Sequence, residues 1–229
     1  MHCKSCKADN PAQLRHNCGV TPDDFQCQTQ ASPEVIDRLK TYAALLVKWQ
    51  KAINLVAPNT LSDIWGRHFL DSAQLLPLAP PGVGRWLDLG SGGGFPGLVI
   101  AAMGIPGVHL VESDQRKAAF LREAARVMDV PAIVHVQRIE AVDPAALHAA
   151  MGGSPQVISA RALAPLAELL PLAHRLAGPD SLYLFPKGRQ AEDELTTAQR
   201  YWTIGTVDML PSQTDKAARI LRIRGLEPA

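Results

Sequence analysis

The feature that most constrains this chain is Gly90-Ser91-Gly92-Gly93-Gly94-Phe95-Pro96-Gly97, five glycines in eight residues. Trp86-Leu87-Asp88-Leu89 precedes it and reads as a short buried strand. Leu98 to Met103 follows and reads as the opening of a helix. Glycine lacks a Cβ, so a glycine-rich backbone can approach a ligand closely. In open α/β sheets, ligands bind in the crevice beyond the carboxyl ends of the strands. Glycines this dense at a strand-to-helix junction point to a ligand cradle rather than a plain turn.

The flanking sequence supports an α/β architecture. Ser32-Pro33-Glu34 reads as a helix start, with Ser as cap, Pro in the first turn and Glu at the positive end. Val35, Ile36, Leu39, Tyr42, Leu46, Trp49 and Ile53 then recur at helical spacing. A second helix is expected over Ile64 to Leu76. After the glycine stretch, strands are expected at 108–112, 133–136, 157–159 and 182–185. Helices separate them, one over Lys117 to Met128 capped by Asp114 and one over Leu163 to Leu176. Such alternation means a mostly parallel sheet with helices on both faces. Trp202 to Val207 and Ala218 to Ile223, joined by Pro211-Ser212-Gln213-Thr214-Asp215, read as a hairpin that adds an antiparallel edge. The expected organisation is a Cys-containing flexible extension over 1–32, a helical cap over 33–80 and the α/β domain over 81–229, with 33–229 forming one globular unit.

The loop alone leaves its ligand open. Gly92 to Gly97 satisfies GxGxxG, a dinucleotide pattern that is weak by itself. Glu112, at the end of the second strand, could accept hydrogen bonds from a ribose in NAD or in an adenosyl cofactor. Phe95-Pro96 fills the helix start with a ring and removes an N–H donor, which suits a pyrophosphate poorly. Asp88 would also repel a pyrophosphate, but suits a ligand with ammonium and sulfonium centres. These residues favour S-adenosyl-L-methionine over NAD.

Composition narrows the function classes. The chain has 229 residues, with 23 Lys and Arg against 22 Asp and Glu. Residues 1–32 hold three of each sign, leaving 20 against 19 beyond them. A balance so close to neutral excludes a basic nucleic-acid wrapper and an acidic tail, though not a local basic patch. No apolar run approaches the about 20 residues of a membrane span, and the N-terminus lacks the apolar stretch of a signal peptide. A cytoplasmic protein without membrane contact is expected. All four cysteines (Cys3, Cys6, Cys18, Cys27) fall in the extension. Only the first two form a tight pair, whereas zinc ribbons repeat one. No metal is expected there.

Several blocks together carry a resemblance. They are Trp49 to Val56, Arg67-His68-Phe69-Leu70-Asp71-Ser72, Leu87 to Gly97 and Glu112 to Lys117. Arg138-Ile139-Glu140, Ser159-Ala160-Arg161-Ala162 and Pro186-Lys187-Gly188 complete the set. With these in order, the chain from about Tyr42 to Gly225 resembles the RsmG (GidB) family of small-subunit (16S) ribosomal RNA guanine-N7 methyltransferases. The first 32 residues have no counterpart in that family's pattern. The resemblance implies a Rossmann-like class I S-adenosylmethionine-dependent methyltransferase fold, with a seven-stranded sheet and a helical cap. It implies that Gly90 and Phe95 line the cofactor's methionine and ribose side and that Glu112 holds the ribose; Asp88, Gly92 and Gly94 are expected to bind the cofactor with them. It places Ile139 and Glu140 beside the adenine, and Arg161 at the end of the fourth strand, near cofactor and target. Each has a plainer alternative: Glu112 a solvated strand end, Ile139 core, Glu140 a helix-start acid, Arg161 an ion-pair partner of Asp71 or Asp88.

A guanine N7 carries a lone pair and no proton, so its attack on a sulfonium methyl needs no general base. Alignment and exclusion of water are the main demands. No catalytic triad is evident, and His68 with Asp71 reads better as structural than as an acid/base pair. Phosphate contacts require Lys or Arg. Candidates are Arg116, Lys117, Arg122 and Arg126 on one helix, Lys187 and Arg189 after the fifth strand, and Arg219, Arg222 and Arg224 near the end. Lys187 and Arg161 are the favoured RNA contacts. The expected partner is small-subunit ribosomal RNA or the subunit itself, and the chain is expected to be a monomer. The rival readings are an NAD-dependent oxidoreductase and a non-catalytic ribosome- or RNA-binding protein.

Overall fold

The computed structural model describes residues 19–229. Cys3, Cys6 and Cys18, and with them the question of a metal in the extension, lie outside the described residues; Cys27 is exposed.

The sheet has seven strands. These are β1 (Arg85–Leu89), β2 (Gly107–Glu112), β3 (Ala132–Val136), β4 (Val157–Ala160), β5 (Leu182–Lys187), β6 (Trp202–Pro211) and β7 (Arg219–Pro228). Their order is β3-β2-β1-β4-β5-β7-β6. The first five are parallel, and β7 enters antiparallel between β5 and β6. The expected mixed edge is present. Its strands run further than their apolar cores because the ladder continues through polar residues such as Thr203 and Asp208, which an edge can turn to water.

Alternation along each strand divides the core in two. Trp86, Val108 and Leu110 face the helical cap, α4 (Gly97–Ala102) and α5 (Gln115–Met128). Leu87, Leu89, Val111 and Ile158 face α6 (Pro144–Met151), α7 (Leu166–Leu176) and α8 (Ala191–Ala198). Asp114 caps α5, accepting from Arg116 N at 2.8 Å and Lys117 N at 3.2 Å. This satisfies donors that every helix start leaves unpaired.

The cap comprises α1 (Pro22–Thr29), α2 (Pro33–Gln50) and a broken helical segment after them. Ile36, Leu39, Tyr42 and Leu46 of the α2 stripe are buried. Ser32 holds the cap position of α2 without making a side-chain cap bond. The expectation that everything before residue 33 is flexible is corrected over its last part. Thr21 and Asp24 form a reciprocal capping box on α1, and Phe25 is fully buried, edge-on against Trp65. Burying such a side chain is worth about 1.5–3 kcal/mol.

The helix expected over 64–76 is interrupted. Trp65–Leu70 is a π-helical turn, Asp71–Ala73 a short α3, and Leu76–Leu78 a 3₁₀ turn ended by the following chain reversal. Asp63 Oδ1 accepts from both Gly66 N and Val20 N, at 3.1 Å each, which anchors the wide turn at its start. Such turns inside helices are frequent at functional sites. Likewise α7 begins at Leu166, not Leu163, so residues 161–165 form a loop at the carboxyl edge of the sheet.

Candidate active site

One cavity of about 1060 Å³ opens at the carboxyl ends of β1, β2, β4 and β5, roofed by the cap and the β6–β7 turn. Pockets for a single small ligand run to about 300–1,000 Å³, so there is room for a nucleoside cofactor and one further base. Gly90, Gly92, Phe95, Glu112, Ile139, Glu140, Arg161 and Lys187 all line it. Asp88 and Gly94 are not among its lining residues.

Asp88 lies beneath the loop, wholly buried. Its Oδ1 accepts from Ser159 Oγ at 2.7 Å and its Oδ2 from Gly97 N at 3.3 Å. Ser159 Oγ in turn accepts from Trp86 Nε1 at 2.8 Å. Burial pushes the Asp88 carboxyl up to about 6, with these hydrogen bonds working in the opposite direction. Asp88 therefore fixes the start of α4 and ties the wall of the cradle to β4. A Cβ at Gly97 would collide with Leu110, so the helix packs this closely only on glycine.

Gly94 turns inward, with φ of +91°, and any Cβ there would strike the Tyr42 hydroxyl. That hydroxyl donates to Gly93 O, and its burial drives the phenol pKa well upward. Tyr42 thus pins the glycine loop to α2. At the other end of the loop, Glu112 Oε2 accepts from Gly92 N at 2.8 Å while its Oε1 accepts from Asp114 N at 2.8 Å. Gly90 has φ of +63°, and a Cβ there would lie 2.5 Å from Leu163 Cδ1. Both conditions favour glycine.

Arg161 ties three elements together. Its Nη1 donates to Arg67 O and to Asp71 Oδ2, each at 3.0 Å, and its Nη2 meets His68 Nδ1 at 2.9 Å. Its guanidinium lies 5.0 Å over the Phe95 ring, which also stacks with His68 and Tyr42. Arginine has no acceptor, so His68 Nδ1 must accept and its proton must reside on Nε2. Nε2 meets Thr60 Oγ1 at 2.7 Å, whose own proton goes to Ala57 O. Burial, then the cations Arg161 and Arg67, lowers the His68 pKa to about 3. His68 is a neutral spacer at physiological pH and no acid/base pair with Asp71. The alternative of Arg161 as an ion-pair partner holds for Asp71. Asp71 Oδ1 also accepts from Thr214 Oγ1 at 2.7 Å, which joins the β6–β7 turn to the same network.

Lys187, expected to contact RNA, is engaged by groups of the protein itself. Its ammonium, with the side chain only 9% exposed, meets Glu194 Oε2 at 2.8 Å and Ala164 O at 2.7 Å. Glu194 Oε2 accepts from Leu166 N as well. Lys187 therefore clamps the 161–165 loop to α8. Among the other basic candidates, Arg126 is paired with Glu123 and Arg222 with Asp208. Arg219 and Arg224 donate to main-chain carbonyls, and Lys117 reaches the rim of the cavity.

Tyr42, Thr60, Ser159 and Glu194 were not legible as site residues. Tyr42 alone carried a signal, since a tyrosine inside an apolar stripe needs a partner for its hydroxyl.

A family model described as "rRNA small subunit methyltransferase G" (GidB) matches residues 35–220. The chain belongs to that family. It is 54% identical over 205 residues to the "Ribosomal RNA small subunit methyltransferase G" of Rhodospirillum centenum, covering 90% of this chain and 91% of the relative. It is 51% identical over 211 residues to the protein of the same name in Parvibaculum lavamentivorans, covering 90% of each. Solved structures share the fold at lower identity. A TehB-like SAM-dependent methyltransferase of Corynebacterium glutamicum has TM-score 0.51 and 17% identity, over 81% of this chain and 96% of that one. The glycopeptide N-methyltransferase MtfA, solved with S-adenosyl-L-methionine, has TM-score 0.54 and 11% identity, over 74% and 99%. The Rossmann-like class I methyltransferase fold expected from the family pattern is therefore the fold of this chain.

Proposed function

We propose that this protein transfers a methyl group from S-adenosyl-L-methionine to N7 of one guanine in 16S ribosomal RNA. Family membership over residues 35–220 is the observation that carries the reading, and the cavity fits it. Gly90 and Phe95 would bound the methionine side of the cofactor, Glu112 would accept from ribose hydroxyls, and Ile139 with Glu140 would flank the adenine. Glu112 already takes one N–H on each oxygen, and each oxygen keeps a lone pair for a ribose. The cofactor, when bound, supplies an activated methyl group on sulfonium.

The chain's own residues then have three tasks. The Tyr42–Gly93 bond and the buried Asp88 hold the loop rigid, so little reorganisation remains at the moment of transfer. Arg161, locked by Asp71 and His68 over Phe95, walls the cavity between cofactor and target sides. The cap roofs the site and excludes water. No proton has to move, which agrees with a site whose single histidine is held neutral.

The substrate is read as rRNA within a small ribosomal subunit or its assembly, acted on by a monomer in the cytoplasm. No helix among the described residues is long and apolar enough to cross a membrane. The test pairs equilibrium binding of S-adenosylhomocysteine and NADH with transfer of labelled methyl to rRNA and to tRNA. Homocysteine-nucleoside binding with label on rRNA supports the reading. NADH binding alone restores the oxidoreductase, and cofactor binding without transfer leaves a non-catalytic RNA-binding protein.

A further inference from the structure

Several charges around the cavity are already engaged. Asp71 is held by Arg161, Thr214 and Gln74. Glu112 is held by two main-chain N–H groups, and Glu194 by Lys187 and Leu166 N. One opposite-charge pair on the wall differs. Arg67 Nη1 and Asp215 Oδ2 stand 3.6 Å apart, with their side chains 50% and 44% exposed. Asp215 Oδ1 takes only the Ala217 N–H, at 2.9 Å. Both residues line the cavity.

Their backbones are held firmly although their side chains are open. Arg67 O accepts from Arg161. The turn bearing Asp215 is stapled to the cap by Gln74 Oε1, which accepts from Gln213 N at 2.8 Å, and by the Thr214–Asp71 bond. Arg219, at the start of β7, pairs with Lys187, at the end of β5. The turn thus stands at the carboxyl edge on the β5 flank, away from the β2 and β3 ends where Glu112 and Ile139 lie. That is the side of the cavity left for the acceptor.

The pair presents donors beside acceptors. The Watson–Crick edge of guanine presents the complement: the O6 acceptor, then the N1–H and N2–H donors. Adenine presents N6–H and then the N1 acceptor, the reverse order. Enzymes that modify an extruded base read it through this edge; arginine donates to guanine O6, and carboxylates accept from base amino groups. N7 lies across the ring from the N2 amino group, so a guanine held at the turn by that edge directs N7 inward.

Building on the methyl-transfer reading above, we propose that Arg67 and Asp215 select the target guanine, Asp215 accepting from N1–H and N2–H while Arg67 donates to O6. Other open carboxylates on the wall, Glu140 and Glu168, belong to the elements that follow β3 and β4.

The experiment measures steady-state methyl transfer to small subunits carrying either guanosine or inosine at the target position. Inosine keeps N7, O6 and N1–H but lacks the N2 amino group. The proteins are the wild type, Asp215→Asn, which can keep the Ala217 bond, Asp215→Glu and Arg67→Gln. Wild type should lose about tenfold or more in kcat/KM on inosine. Asp215→Asn should lose about ten- to a hundredfold on guanosine, chiefly through KM, and treat the two bases nearly alike. Asp215→Glu should recover part of the preference, and S-adenosylhomocysteine affinity should stay within about twofold throughout. Equal losses by Asp215→Asn on both bases, or no loss, would overturn the proposal. A wild type that binds S-adenosylhomocysteine but methylates no rRNA overturns the function itself, an outcome distinct from a defect confined to the variants.

Discussion

Lowering the pH from 7 to 5 should weaken the fold through His68, by an amount that follows from its surroundings. The ring is buried, faces the Arg161 guanidinium through Nδ1, and titrates near 3 instead of 6.5. Below pH 6.5 the unfolded chain therefore binds a proton that the native chain refuses. The contribution is intact above pH 6.5 and is lost as the pH falls towards 3. At pH 5 the loss is about 2 kcal/mol, or about 1 M in urea midpoint for a slope of about 2 kcal/mol per molar. Two other buried groups titrate in the same range. His109, hydrogen-bonded to His135 at 2.9 Å and lowered to about 4, acts in the same direction. Asp88, raised to about 6, acts in the opposite one: its contribution is complete below about 3.8 and is lost as the pH rises through 6. The assay is therefore a comparison of urea denaturation at pH 7 and pH 5 for wild type and His68→Gln. The variant should be less stable at pH 7, and its deficit should shrink by about 2 kcal/mol at pH 5. An unchanged deficit, or a His68 ring resonance that titrates above pH 5, would refute the neutral-spacer role.

Tyr42→Phe removes the donor to the buried Gly93 carbonyl, so denaturation should show a loss of about 1–3 kcal/mol, and calorimetry should show weaker S-adenosylhomocysteine binding. Gly92→Asp places a carboxylate beside Glu112, whose Oε2 holds Gly92 N, and binding of S-adenosylhomocysteine should become undetectable by the same method. Lys187→Met leaves the Glu194 carboxylate without its ammonium partner. Because Glu194 keeps some water, the stability cost should be about 2–4 kcal/mol; a change confined to the KM for RNA would instead restore the free-contact role.

The legible part of this protein was its backbone plan. The strands beside the glycine loop, the α2 stripe and the antiparallel edge all follow from local periodicity, which depends on neighbours in sequence. The glycine loop was legible as a cradle because glycine density has a direct steric meaning. What escaped is what tertiary contact decides. Asp88 was expected to face a ligand, but strand alternation turns it towards Ser159 and Gly97 N. Lys187 follows a strand end as expected, yet Glu194, on the next helix, claims it. The π turn at Trp65–Leu70 has no periodic signature distinct from a helix, although it brings His68 and Asp71 to one guanidinium. Residues 22–29 fell in the extension expected to be flexible, but Phe25 and a capping box dock them.

The central claim is methyl transfer to a ring nitrogen of a single guanine. Its most direct test is incubation of the protein and labelled S-adenosyl-L-methionine with small ribosomal subunits that lack the modification, followed by borohydride and aniline cleavage of the RNA. N7-methylated guanine is cut by this treatment, whereas methylation elsewhere on the base or on the ribose is not. The account predicts one label per subunit and one cleavage site in the 16S RNA, at a guanine. Label without cleavage, or label on protein or tRNA alone, would contradict it.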